Sequence, residues 1–244
     1  MSIPKAFESR RHEVSRLEGF SDAVFAFAVT LLVVSLEVPR TFNELSTAMR
    51  GFLAFAICFA LLFQVWSRHY TYFRRYGLED ATTKVLTGVL LFVVLFYVYP
   101  LKFLWTLIVT SWFTRGINVH VSNGTVEPMI LEAQVPLLFE IYGLGVAAVF
   151  GVFLVLYLHA YGRRGALGLT AYEMLETRLS VMSNAAVAAI GLLSAAIAFV
   201  GGIRAAQPAG FAYFLIGVVE WGIGAYGGRQ KKRIHAQLNE STSG

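Results

Sequence analysis

Long apolar runs separated by short, arginine-bearing connections dominate the chain. The first occupies residues 16–39, RLEGFSDAVFAFAVTLLVVSLEVP, where only Thr30 and Ser35 are polar between Ala23 and Leu36. A hydrocarbon core of roughly 30 Å is crossed by about 20 helical residues. Helix 1 is therefore expected over about 17–36, closed by Glu37 and Pro39, with a short loop over 37–47. Five further helices are expected over about 48–67, 81–101, 135–161, 179–203 and 209–226. Helix 3 is expected to leave the membrane near Pro100. The stretch 102–134 is ambiguous. FLWTLIVTSWF is too short to span alone and can prolong helix 3 at the interface, while RGINVHVSNGTVEPM carries turn signals at Asn123-Gly124 and Pro128 and reads as an extracellular loop. The run SNAAVAAIGLLSAAIAFVGG in helix 5 is built of small residues, which let helices approach closely in lipid. No internal repeat is evident.

The fold class expected is thus an all-α membrane protein with six transmembrane helices. A cytoplasmic leader covers 1–16, the helical domain 17–228, and a basic, then polar tail 229–244, whose composition reads as disordered. Composition agrees: 57% of the 244 residues are hydrophobic, only 14% are charged, and the mean hydropathy is +0.62. A soluble domain carries about 25% charged residues. The net charge of +5 does not point to nucleic acid, because the basic residues flank the apolar runs. With both termini inside, fifteen of the twenty Lys and Arg are cytoplasmic, and only Arg40, Arg50, Lys102, Arg115 and Arg204 lie outside. Nothing resembles a cleavable signal peptide: the first apolar run is too long, and no small-residue cleavage site follows it. The single cysteine, Cys58, excludes a disulfide framework and a cysteine-based metal site.

Candidate chemistry concentrates in helix 1. Phe27, Thr30 or Leu31, and Val34 recur at helical spacing on one face, which Phe20 and Ala23 extend, with Ser21 and Asp22 to one side. Such a stripe is ordinary membrane packing, or, in several copies around an axis, a set of apolar rings with one hydroxyl layer. Asp22 near Arg16 is costly in a spanning helix. It reads as part of an ion-pair network at the cytoplasmic end, or as a cation-attracting vestibule or proton relay. Trp66 and His69 share a face of helix 2, so His69 is an interface hydrogen-bonding group or a pH switch. Glu140 and Glu220 are further intramembrane acids near helix ends. His69, His120, His159 and His235 fall in different segments without metal-like spacing. No nucleophile–base pair, phosphate loop or paired carboxylates support an enzyme.

Helix 1 resembles the signature of the transmembrane protein 175 family, potassium-permeable channels with bacterial and archaeal members. The resemblance rests on R-x-x-x-F-S-D at Arg16, Phe20, Ser21 and Asp22, on the continuation AVFAFAVTLLVVSLEVP, and on W-x-x-H at Trp66 and His69. It covers about residues 10–100 and is architectural beyond them. It implies a homotetramer of six-helix subunits in the bacterial plasma membrane, helix 1 of each lining a central pore that passes potassium ions without a carbonyl filter. By position, the narrow apolar ring falls at Phe27, the hydroxyl layer at Thr30, and further apolar layers at Leu31 and Val34, with Ala23 on the same line. Arg16, Phe20, Ser21, Asp22, Trp66 and His69 would position helix 1. Family members usually have an aliphatic residue where this chain has Phe27, a departure that bears on conductance and selectivity. The partners implied are the lipid bilayer, potassium and further copies of the chain, with no cofactor and no nucleic acid. The alternative is a proton- or ion-coupled secondary transporter using Asp22, Glu140 and Glu220, which predicts internal repeats and interrupted helices.

Overall fold

The structure, a computed structural model, describes residues 13–34, 40–113, 118–120 and 126–243. It is helical apart from one short antiparallel ribbon. The helices are α1 (Arg16–Val34), α2 (Phe42–Arg50), α3 (Phe52–Tyr76), α4 (Ala81–Phe113), α5 (Val135–Gly162), α6 (Ala171–Gly201), α7 (Ala206–Phe211) and α8 (Phe214–Ser243). The ribbon pairs β1 (Asn118–His120) with β2 (Val126–Pro128), Val119 facing Glu127. Among the described residues, four stretches are long and apolar enough to cross a membrane: Phe52–Tyr76, Ala81–Trp112, Glu132–Gly162 and Ala171–Ile234. The last contains both α6 and α8, which pack on each other.

α1 lies in the groove of α3 and α4, α5 joins α4 to α6, and α6 carries α8. The core runs through Phe25, Ala28 and Leu32 of α1, Tyr72 of α3, Leu90 of α4 and Phe153 of α5, all nearly inaccessible. α5 and α6 meet at glycines. A Cβ on Gly143 would sit 2.5 Å from the Gly191 carbonyl oxygen, and one on Gly191 2.7 Å from the Gly143 oxygen. The small residues of helix 5 thus allow backbone contact, which dispersion rewards when lipid offers no hydrophobic contrast.

Several boundaries differ from those the sequence suggests. α3 continues past Ser67 to Tyr76 and stops at Gly77, whose φ of 59° is the left-handed conformation that glycine adopts readily. Residues 42–47, expected in a loop, belong to α2, and the next helix begins at Phe52 instead of about 48. α4 runs through Pro100 to Phe113, so the segment 103–113 does prolong the third predicted helix. An interior proline removes one helical donor, a loss that membrane helices tolerate. α6 starts at Ala171 instead of 179, because Thr170 and Glu173 form a capping box: the Glu173 N–H donates to Thr170 Oγ1 (3.2 Å) and the Thr170 N–H to Glu173 Oε2 (2.9 Å). The tail expected to be disordered continues α8 through Ser243, and Lys231 pairs with Glu176 of α6. Residues 1–12, Glu37, Pro39, Arg115 and the Asn123-Gly124 turn lie outside the described residues.

Candidate ion pathway along the first helix

α1 begins with a second capping box. The Glu18 N–H donates to Ser15 Oγ (3.1 Å), and the Ser15 N–H donates to Glu18 Oε2 (2.9 Å). Two otherwise orphaned donors are satisfied, and an acid is placed at the positive end of the helix dipole. From there Ser21, Phe25, Ala28 and Leu32 follow i, i+4, i+7, i+11 spacing and turn into the core. Ser21 is buried because its hydroxyl donates back to the Leu17 carbonyl at 2.8 Å. Among the described residues, nothing packs against the other side of α1. Phe20 (62%), Phe27 (56%) and Val33 (47%) are exposed there, together with Ala23 and Thr30. Thr30 Oγ1 donates to the Ala26 carbonyl at 3.0 Å. Its proton is therefore engaged by the helix, and its lone pairs remain free to accept. Leu31 is half-buried and packs against the core, and the Val34 side chain lies outside the described residues.

α1 is fastened near both ends. Trp66 of α3 donates its indole N–H to Asp22 Oδ1 at 2.7 Å, giving the acid the partner that a membrane helix demands. Near the other end, Lys102 of α4 donates from Nζ to the Leu32 carbonyl at 2.9 Å, a cation on the negative end of the helix. Trp66 belongs to a ladder of rings along α3. Its neighbours are Phe63 at 5.2 Å and Tyr70 at 5.6 Å between centroids, and the Arg74 guanidinium lies 5.1 Å from the Tyr70 ring. His69 is 1% exposed, wedged between Phe25 (5.8 Å) and Phe73 (4.7 Å), with no hydrogen-bond partner at Nε2. Within one chain, then, Asp22 and Trp66 meet directly. His69 approaches α1 through Phe25. Arg16 is exposed in the first turn and makes no hydrogen bond or ion pair to Asp22 among the described residues.

The acids do not converge on one site. Asp22 borders a cavity of about 340 Å³ between α1 and α3, whereas Glu220 accepts the Ser183 hydroxyl in another cavity between α6 and α8. Glu140 lies half-buried on α5. Among the described residues, no group of three or more His, Cys, Asp or Glu is arranged to hold a metal ion.

Sequence reasoning missed a junction centred on Asp80, before α4. Asp80 Oδ1 accepts the Thr83 N–H (3.0 Å) and hydroxyl (2.8 Å), which caps α4. Asp80 Oδ2 meets His159 Nε2 at 2.7 Å and the Arg163 guanidinium at 3.1 Å, at the end of α5. Burial pushes the Asp80 carboxyl up, but the two Thr83 bonds and His159 outweigh it and hold the group down at about 2. The D-x-x-T spacing announces the cap in the sequence. The His159 contact depends on how α4 and α5 pack.

Residues 16–100 match the family model for the endosomal/lysosomal potassium channel TMEM175. A potassium channel of Marivirga tractuosa is 40% identical over 218 residues, 86% of this chain and 85% of that protein. A potassium channel of Chamaesiphon minutus is 33% identical over 96 residues, 36% of this chain and 47% of that protein. Among solved structures, the potassium channel MtTMEM175, a variant in complex with a nanobody–MBP fusion protein, matches with a TM-score of 0.79. It is 37% identical, over 94% of this chain and 100% of that chain. A lysosomal potassium-selective channel TMEM175 homolog from Chamaesiphon minutus shares the fold, with a TM-score of 0.54 at 22% identity over 85% of this chain and 96% of that one.

Proposed function

The chain belongs to the TMEM175 family of potassium channels, and from that premise we propose that it is a homotetrameric, potassium-permeable channel whose pore is lined by α1. Each subunit crosses the bacterial plasma membrane six times, through α1, α3, α4, α5, α6 and α8, with both termini cytoplasmic. The observation that carries the reading is the exposed stripe of α1. Ala23, Phe27 and Thr30 lie on one side of a helix that is fastened at Asp22 and at Leu32 but, among the described residues, covered by nothing in its own chain.

Four such helices around an axis stack an apolar ring at Phe27 below a hydroxyl layer at Thr30, with Leu31 and Val34 bordering the far end. The phenyl ring is a hydrophobic constriction that gates by dewetting. Because each Thr30 hydroxyl spends its proton on the Ala26 carbonyl, its lone pairs are available to replace part of the hydration shell of a cation. Selection by side chains of this kind is modest, since no rigid carbonyl cage is involved. Arg16, Phe20, Ser21, Asp22, Trp66 and His69 set the position of α1. Permeation requires no cofactor and no covalent chemistry.

Cysteine accessibility tests this reading, because Cys58 is buried and leaves a quiet background. A thiol reagent is expected to block potassium flux in Phe27→Cys and Thr30→Cys vesicles and to leave Val155→Cys, on the exposed side of α5, unaffected. Failure to block either α1 variant while flux persists would contradict it.

A further inference from the structure

A second cavity, of about 310 Å³, lies away from α1 where α3, α5, α6 and α8 meet. Its walls include Arg68 of α3, Ser180, Ser183 and Asn184 of α6, and Glu220 and Lys231 of α8. Asn184 is 1% exposed. Its amide donates to the Ser180 carbonyl at 2.7 Å, and its Oδ1 has no hydrogen-bond partner. Glu220 takes the Ser183 hydroxyl and, among the described residues, has no ion pair. Also on the cavity walls, the Arg68 guanidinium lies 5.2 Å from the Phe150 ring centroid and is likewise without an ion pair among the described residues. Lys231 is engaged with Glu176.

The cavity therefore presents one carboxylate and one guanidinium, neither of them in an ion pair among the described residues. A ligand that satisfies both carries an N–H-bearing cation at one end and an anion at the other. We propose that this cavity binds a phosphate–ammonium head group, with the primary ammonium donating to the Glu220 carboxylate and the phosphate accepting from Arg68. A primary amine fits better than a quaternary one. Glu220 needs an N–H donor, whereas a quaternary ammonium is held by several aromatic faces, and Tyr157 is the one aromatic side chain among the described wall residues. Since the cavity lies among helices long enough to cross a membrane, the natural source is an amine-bearing phospholipid, and free phosphoethanolamine shares the same chemistry. The inference does not depend on α1 lining a pore.

The test is native mass spectrometry on delipidated full-length protein, titrated with phosphatidylethanolamine, phosphatidylcholine, phosphatidylglycerol or free phosphoethanolamine. Phosphatidylethanolamine is expected to be retained about tenfold better than the other two lipids, as charge-assisted hydrogen bonds require. Glu220→Gln and Arg68→Gln should each abolish that preference. The two variants lie on different helices, α8 and α3, and gel filtration reports their folding, so a misfolded variant leaves the other to decide. Retention of the diacyl lipid alone identifies a membrane ligand. Equal retention of free phosphoethanolamine identifies a soluble one. Equal retention of phosphatidylethanolamine and phosphatidylcholine, preference for phosphatidylglycerol, or indifference of a folded variant would overturn the proposal.

Discussion

Asp80 offers a quantitative test of how the bundle is held. Its carboxylate caps α4 through Thr83 and ties α4 to α5 through His159 and Arg163. Loss of an N-cap side chain costs about 1 kcal/mol. The contacts to His159 and Arg163 are partly exposed, with Asp80 at 25%, His159 at 18% and Arg163 at 52%, so together they are worth only about 1 kcal/mol more. Asp80→Ala removes both contributions, about 2 kcal/mol in all. Asp80→Asn retains a good capping residue and loses about half of that. For a chain of this size each kcal/mol moves the melting temperature by about 2–4 °C. Thermal unfolding in detergent at pH 7 is expected to show a drop of about 4–8 °C for Asp80→Ala and half of that for Asp80→Asn. The sign with pH follows from the direction of the shift. The folded carboxyl titrates at about 2, below its ordinary value of 3.8, so its stabilisation is complete above that ordinary value and is lost as pH falls through about 2. The gap between wild type and Asp80→Asn should narrow as pH is lowered from 4 towards 2. Both variants melting like wild type, or Asn being as harmful as Ala, would refute the division into cap and ion pair.

Other expectations follow from single contacts. Gly143→Ala forces a methyl against the Gly191 carbonyl, a backbone atom that cannot rotate away, and should cost about 1–3 kcal/mol in chemical unfolding. Trp66→Phe retains a ring in the α3 ladder but leaves Asp22 without its indole donor; stability should change by less than about 1 kcal/mol because the ring packing is kept and Asp22 is not buried within the chain. Its potassium flux should change clearly, since α1 loses one of its two fastenings, and an unchanged flux would remove that contact from the account. Thr30→Val replaces the hydroxyl isosterically. The potassium-to-sodium permeability ratio from reversal potentials should fall, and an unchanged ratio would place selection elsewhere.

The sequence made the helices legible, but not which side of α1 is which. Asp22 is conspicuous as an acid in an apolar run, and its fastening by Trp66 involves a residue already singled out, with His69, on the second expected helix. The two faces of α1 are equally apolar, with Phe25 and Leu32 turned inward and Phe27 and Val33 outward, so periodicity cannot tell core from open surface. Helix ends were misread where one residue outweighed its context. Pro100 suggests a terminus, yet the apolar run continues and Tyr142 of α5 donates its hydroxyl to the Pro100 carbonyl. Arg178 looks like a loop charge, but it is helical and its guanidinium bonds the Tyr161 hydroxyl. The polar tail is helical in a region where Lys231 meets Glu176, a pairing that only the packing of α6 against α8 reveals.

The central claim is that α1 lines a potassium pathway narrowed by Phe27. Its most direct test is ion flux through the purified protein in liposomes, comparing potassium, sodium and a large organic cation, for wild type and Phe27→Ala. The account predicts potassium flux above sodium flux, exclusion of the organic cation, and a higher potassium flux once the phenyl ring is gone. No potassium flux in either protein, or a Phe27→Ala flux equal to that of wild type, would contradict it.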